Sequence, residues 1–467
     1  MDKTNNVKRN KNLKASSLYM VGNMFNKAIA FITIPIFTRI LTTSEYGIAQ
    51  TYLSWVSILT LIVGLSLGNS IRTAFVDFKD DIEGYMSSIY GLSLLSFLVS
   101  STLIILGAYF FSDIDMILVI CCLVQSYFQF ITTAMTTKYM MKVDYLKKTL
   151  LLAGPNIIIQ VFAIISILNI SGDKKYFGYI IPYALVYAVI GSYFIISTFI
   201  RGKKVVNLKY WKYALLFSLP LIFHGLSLVL LSSSDRIMIT SLYNSSETGI
   251  YSLIYNLSMV AMAVTASLEA VWVPWFTKKM IANDKATINK NIIKYLEIAL
   301  VVMLCLMFLA PEVVKFMATE SYWSGIYMIP PLVFASFEMY IYTVYVNVEY
   351  YYKSTKYIAF NTVVAATTNL VLNFIFIPHF GGMAACFTTV ASYMLSFVMH
   401  AHHSRKLDNQ LFPPKQFILP IIIFLAATVV AYLLMELWIA RWILVVVGFV
   451  VYALFAIKTK RFKSFLK

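Results

Sequence analysis

Apolar residues in this chain gather into fourteen long runs separated by short polar connections. A helix crosses the ~30 Å hydrocarbon core of a bilayer with about 20 mostly apolar residues, each adding 1.5 Å. Runs of that order cover 16–40, 47–70, 86–111, 114–137, 149–170, 176–200, 213–242, 250–272, 291–310, 326–348, 357–377, 382–401, 416–437 and 440–457. The pattern predicts an all-α integral membrane protein with 14 transmembrane helices. The longest connection, Pro274 to Lys290, has fewer than twenty residues, so no segment is long enough to fold as a soluble catalytic domain. Any chemistry must take place inside the helix bundle.

Charge then orients the chain. With the N-terminus inside, one face of the membrane receives 31 of the 38 Lys and Arg residues. Arg39, Lys174, Lys175, Arg236, Lys315 and Arg441 fall on the other, and Lys27 lies within the first span. The positive-inside rule makes the crowded face cytoplasmic, with both termini on it, as expected of a multi-pass bacterial inner-membrane protein. The +17 net charge is therefore topological and does not indicate nucleic acid. Cys121, Cys122, Cys305 and Cys386 all sit in apolar spans without metal-ligand spacing, which argues against disulfides and zinc. No cofactor is expected, and the first helix reads as uncleaved.

The hexapeptide Thr43-Ser-Glu-Tyr-Gly-Ile48 recurs as Ser245-Ser-Glu-Thr-Gly-Ile250. Both copies precede an even-numbered span, and Glu45 and Glu247 fall in the first helical turn, where a carboxylate suits the positive end of the dipole. Six spans separate the copies. An even number makes the halves parallel repeats related by an axis along the membrane normal. The expected domains are 1–205 (spans 1–6), 206–409 (spans 7–12) and 410–467 (spans 13–14 and a basic tail).

The run Tyr19-Met-Val-Gly-Asn23, Lys27, Pro35, Thr38-Arg39 and Glu45-Tyr-Gly47 resembles the opening of Wzx-type polysaccharide repeat-unit flippases, within the multidrug/oligosaccharidyl-lipid/polysaccharide exporter superfamily. Pro220, Asp235-Arg236, Glu247-Thr-Gly249 and Tyr251 are similar to the family's seventh-to-eighth-span signature. Tyr352-Lys353, Asn369, Asn373, Pro378, Gly381-Gly382 and Ser392-Tyr393 are similar to its eleventh-to-twelfth. The resemblance covers essentially the whole chain. It implies two six-helix bundles around a central cavity and transfer of an undecaprenyl-pyrophosphate-linked oligosaccharide from inner to outer leaflet. The partners it implies are that lipid-linked oligosaccharide, membrane lipids and the polysaccharide polymerase machinery.

The residues allow an independent reading. A diphosphate crossing a low-dielectric region needs cations along its path. Lys27 lies roughly 17 Å into the first span, with Asn23 one turn before it. The alternative for Lys27 is a stabilising pair with a carboxylate of a neighbouring helix. Arg39, Arg72 and Arg236 stand near span ends, as substrate contacts or as interfacial anchors that snorkel to the headgroups. In span 7, Pro220, His224, Ser227, Leu231 and Asp235 share one face. Pro220 removes a backbone hydrogen bond there, which favours a hinge. His224 is a substrate candidate or a structural histidine. Span 10 aligns Glu338, Tyr342, Tyr345 and Glu349, with Glu338 near the midplane. It is the leading site for H+ or Na+ coupling, or else the counter-ion of Lys27, and Asp235 and Glu269 are further coupling candidates. Asn361, Asn369 and Asn373 suit interhelical hydrogen bonds as well as sugar binding. Asp113-Ile-Asp115 has glycosyltransferase-like spacing but no nucleotide-binding context, and His402-His403 reads as an interfacial pair.

Two other classes compete. A cation-coupled multidrug exporter would share this architecture, but cations lining the path would repel a cationic drug. A membrane polymerase or ligase of lipid-linked sugars would need a larger outer loop than any here, so an enzyme is not expected.

Overall fold

The computed structural model describes residue 29 and residues 31–111 and 114–458. Its helices are α1 (Phe31–Ile40), α2 (Thr43–Val63), α3 (Ile71–Asp77), α4 (Ile82–Phe111), α5 (Met116–Met141), α6 (Tyr145–Asn169) and α7 (Tyr176–Gly202). They continue with α8 (Leu208–Leu242), α9 (Ser245–Ile281), α10 (Lys285–Met317), α11 (Ile329–Tyr351), α12 (Thr355–Leu407), α13 (Lys415–Leu433) and α14 (Trp438–Lys458). Short 3₁₀ segments join some of them, and the described residues contain no strand. Among the described residues, eleven helices are long and apolar enough to span a membrane. Helix α12 covers two of the expected runs, and α1 and α14 supply two shorter apolar helices, so each of the fourteen runs has its helix. The expected multi-pass, all-helical architecture is borne out.

One connection is shorter than expected. Helix α9 continues through Pro274 to Ile281 and α10 begins at Lys285, leaving three residues where the sequence pattern indicated about seventeen. Lys278 and Lys279 fall in the last turn of α9, where cations meet the negative end of the dipole. The turn that follows recurs. Val143, Asn283 and Lys353 each take positive φ (59°, 53° and 58°), and the next residue sends its amide back to Tyr139, Lys279 or Glu349. Asp144 and Asp284 then cap α6 and α10 through the amides of Lys147 and Thr287.

The chain divides into two compact units, Met1–Ile237 and Met238–Lys467. In the first, α5 packs against α2, α6 and α7, and Tyr85, Ile89, Tyr90, Tyr127 and Ile131 form a fully buried centre. In the second, α11 is the axial helix; 83% of its membrane-length stretch is buried, against α9, α10, α12 and α13. Large apolar side chains of α4, α6, α7 and α14 face outward, as expected of surfaces that meet lipid rather than water.

The repeated hexapeptide has the same tertiary task in both units. Thr42 and Glu45 form a reciprocal capping box at the start of α2. The second oxygen of Glu45 accepts the amide of Lys175, at the entry to α7, at 3.1 Å. In the second unit the Asn244 side chain accepts the Glu247 amide, and Glu247 accepts the amide of Gly382 at 3.2 Å. Each carboxylate therefore ties the start of its own helix to a helix distant in sequence within the same unit. Gly381, beside that tie, has φ 56° and ψ −139°, and there α12 breaks into its two spans. A Cβ at Gly381 would lie 3.1 Å from the Tyr243 ring, so the turn suits glycine both conformationally and sterically.

Glu45→Ala is expected to lower unfolding stability by about 2 kcal/mol, the value of one charge-assisted bond plus part of a cap. Glu45→Gln should keep about half of it, because its single amide oxygen can accept only one of the two amides. Unfolding of the purified protein in mixed detergent checks this; equal losses in both variants would remove the tie from the stability account.

Candidate functional site

The polar groups buried within unit 2 lie mostly on α11 and α12. Helix α11 presents Glu338, Tyr342, Tyr345 and Glu349 along one face, as their spacing predicts. Glu338 is wholly buried, and neither of its oxygens has a hydrogen-bond partner among the described residues. An ionised carboxylate in such a place needs compensation from a proton or a small cation, because hydrocarbon and packed side chains solvate it poorly. Glu269, half-buried on α9, is within electrostatic reach of Tyr340 and Tyr342 on the same helix as Glu338.

One turn on, the Tyr342 ring stacks on His400 at 5.6 Å and on Tyr393 at 6.0 Å. His400 Nδ1 stands 2.8 Å from Glu349 Oε2, and Asn361 Nδ2 lies 3.2 Å from the same nitrogen. All three side chains are buried. Nδ1 offers a single in-plane position, so it either donates to Glu349 or accepts from Asn361, and its proton decides which. The sequence reading placed Glu349 and Asn361 on polar helix faces but did not join them through His400. Further along α12, Asn373 donates to Asn369 at 3.1 Å and accepts from the Thr388 hydroxyl, forming an uncharged buried network. His403 stacks on Tyr357 at 3.5 Å and bonds Ser354 at 2.8 Å.

Outside the spans of this unit, Asp408 joins Lys285 (2.7 Å) and the Tyr352 hydroxyl (2.9 Å). Burial opposes its charge, but Lys285, Tyr352 and the Gln410 amide hold the carboxyl below the ordinary carboxylate range. The stability it contributes is present at neutral pH and is lost as the pH falls through that lowered value.

The remaining described candidates lie in unit 1. Arg39 donates to the Pro35 carbonyl at 2.6 Å, and Arg72 is exposed on α3. Asp235 and Arg236 are buried near the end of α8, with the Arg236 carbonyl accepting from Thr51 at 3.4 Å. His224 is half-buried on α8, which runs unbroken through Pro220. Lys27 and Asn23 lie outside the described residues. Two polar contacts of this unit carried no sequence signal: Tyr52 donates to Gln125 at 2.7 Å, and Gln160 donates to Tyr183 at 3.0 Å. No group of three or more His, Cys, Asp or Glu gathers as a metal site among the described residues.

The sequence pattern of the family described as polysaccharide biosynthesis proteins matches residues 13–280, more than half of the chain. The protein belongs to this family. A protein of the Lsg locus of Haemophilus influenzae is 22% identical over 273 residues, which cover 56% of this chain and 65% of that protein. The matched stretch is thus just under two thirds of that relative. Among solved structures, the lipid II flippase MurJ in an inward closed conformation superposes with a TM-score of 0.69 at 16% identity, covering 95% of this chain and 99% of that one. An inward-facing multidrug resistance MATE family transporter of the MOP superfamily gives 0.57 at 11%, covering 85% and 98%. At such identities these likenesses establish the fold alone.

Proposed function

We propose that this family member is a flippase. It would carry undecaprenyl-pyrophosphate-linked oligosaccharide repeat units from the inner to the outer leaflet of the bacterial plasma membrane, by alternating access, for O-antigen or capsule/exopolysaccharide synthesis. The family match carries this reading. The short connections support it, since they leave no room for a catalytic domain, and the likeness to a lipid II flippase extends over nearly the whole chain. In this reading both termini are cytoplasmic, and Lys27, Arg39, Arg72, Arg236, Asn23 and His224 offset the charge of the diphosphate or meet the sugar. Glu338, with Asp235 and Glu269 as further candidates, binds the proton or sodium ion that resets the transporter. The polymerase machinery takes the product.

A deletion strain tests the reading. Lipid-linked oligosaccharide should accumulate on the inner leaflet, and a plasmid copy of the gene should clear it. Normal surface glycan in the deletion strain, together with new sensitivity to cationic drugs, would instead favour the multidrug exporter.

A further inference from the structure

A second polar site lies in unit 1, and its lining includes none of the candidates above. Where α5 ends, α6 begins and α7 ends, a cavity of about 250 Å³ is lined by Lys138, Lys142, Asp144, Lys147 and Arg201, with Tyr193 at its side. Its charges are only partly answered. Glu83 is shared between Lys138 at 2.6 Å and Lys142 at 3.0 Å, and Asp144 holds Lys147 at 2.9 Å. Arg201 has no hydrogen bond or ion pair among the described residues, yet it is within electrostatic reach of Lys138 and Lys147. Four cations thus face two carboxylates around one cavity, and a guanidinium with five donors is left over.

The flank of the cavity is apolar. Val189, Tyr193, Ile196 and Ile200 follow i, i+4, i+7, i+11 spacing on α7 and are 71%, 63%, 59% and 66% exposed. They form one outward stripe about 17 Å long that ends beside Arg201. Half of a ~30 Å hydrocarbon core has nearly that depth, so an acyl chain lying on the stripe would put its headgroup at the cavity. Lys138 is buried and doubly constrained through Glu83, which fixes the floor. Lys142, Lys147 and Arg201 are exposed enough to reach a ligand.

We propose that this cavity binds the phosphate ester of an anionic phospholipid, with the lipid's chains along the outward stripe of α7. Arg201 provides a bidentate fork for the phosphate, and Lys142 and Lys147 close around it.

The test uses delipidated full-length protein in a neutral detergent, titrated with phosphatidylglycerol, phosphatidylcholine or inorganic phosphate and read by native mass spectrometry and by the thermal unfolding midpoint. Phosphatidylglycerol should bind and raise the midpoint, while phosphatidylcholine should do neither. Affinity should fall about fivefold in Arg201→Gln and about 25-fold in Arg201→Gln/Lys147→Gln, since one such charge near the membrane surface is worth about a fivefold change. Arg201→Lys should lose less affinity than Arg201→Gln, because it keeps the charge but not the bidentate fork. Both positions are exposed, so the midpoint without lipid should not move, which separates lost binding from misfolding. Undiminished phosphatidylglycerol binding in the double variant, or equal binding of phosphatidylcholine, overturns the site. Inorganic phosphate binding as tightly as phosphatidylglycerol overturns the lipid as its occupant.

Discussion

His400→Leu is expected to destabilise unit 2 by about 1–3 kcal/mol, the cost of leaving a buried carboxyl without its hydrogen-bond partner. Glu349 is wholly buried, its Oε2 faces His400 at 2.8 Å, and its Oε1 has no other partner among the described residues. Leucine approximates the volume of imidazole but offers no donor, so the carboxyl would be desolvated without return. The double variant Glu349→Leu/His400→Leu should be more stable than His400→Leu, because it removes both polar groups and leaves only Asn361 short of a bond, at about 1–3 kcal/mol. Unfolding of wild type, both single variants and the double variant gives the coupling energy directly. A single variant within 1 kcal/mol of wild type, or strictly additive losses, would show that the pair is not energetically joined.

Glu338→Gln should leave membrane abundance close to wild type and reduce glycan export more than tenfold. The two side chains have the same shape, and neither oxygen of Glu338 has a bond to lose among the described residues. What glutamine cannot do is gain and release charge, the step that coupling to an ion requires. The other reading pairs Glu338 with Lys27. It forecasts lower abundance in Glu338→Gln and partial rescue by Lys27→Met. Abundance and export measured in both single variants and the double variant separate the two. Full export by Glu338→Gln excludes both.

Hydropathy made the helices legible, because spanning a bilayer demands long apolar runs whatever their neighbours. The burial of Glu338 was legible for the same reason: it stands near the middle of such a run. The hexapeptide repeat was also visible, but only as two helix starts. That Glu45 and Glu247 reach the entries of distant helices depends on contacts 130 and 135 residues away, which no local pattern encodes. The His400 cluster was hidden similarly, with partners 51 and 39 residues distant. The segment after Pro274 misled for a different reason. Lysines and a proline resemble a loop, yet a membrane helix tolerates proline when its surroundings satisfy the freed carbonyl, and it ends well on cations.

The break at Gly381 makes the two units unequal hosts for added sequence. Between α6 and α7 six residues intervene, whereas the two spans of α12 meet at one residue. Lengthening the first junction costs only the slow logarithm of loop closure. At the second, a single extra residue must displace the Gly382 amide from Glu247 and crowd the Tyr243 ring. An epitope tag or a fused reporter therefore belongs between Ile170 and Lys175.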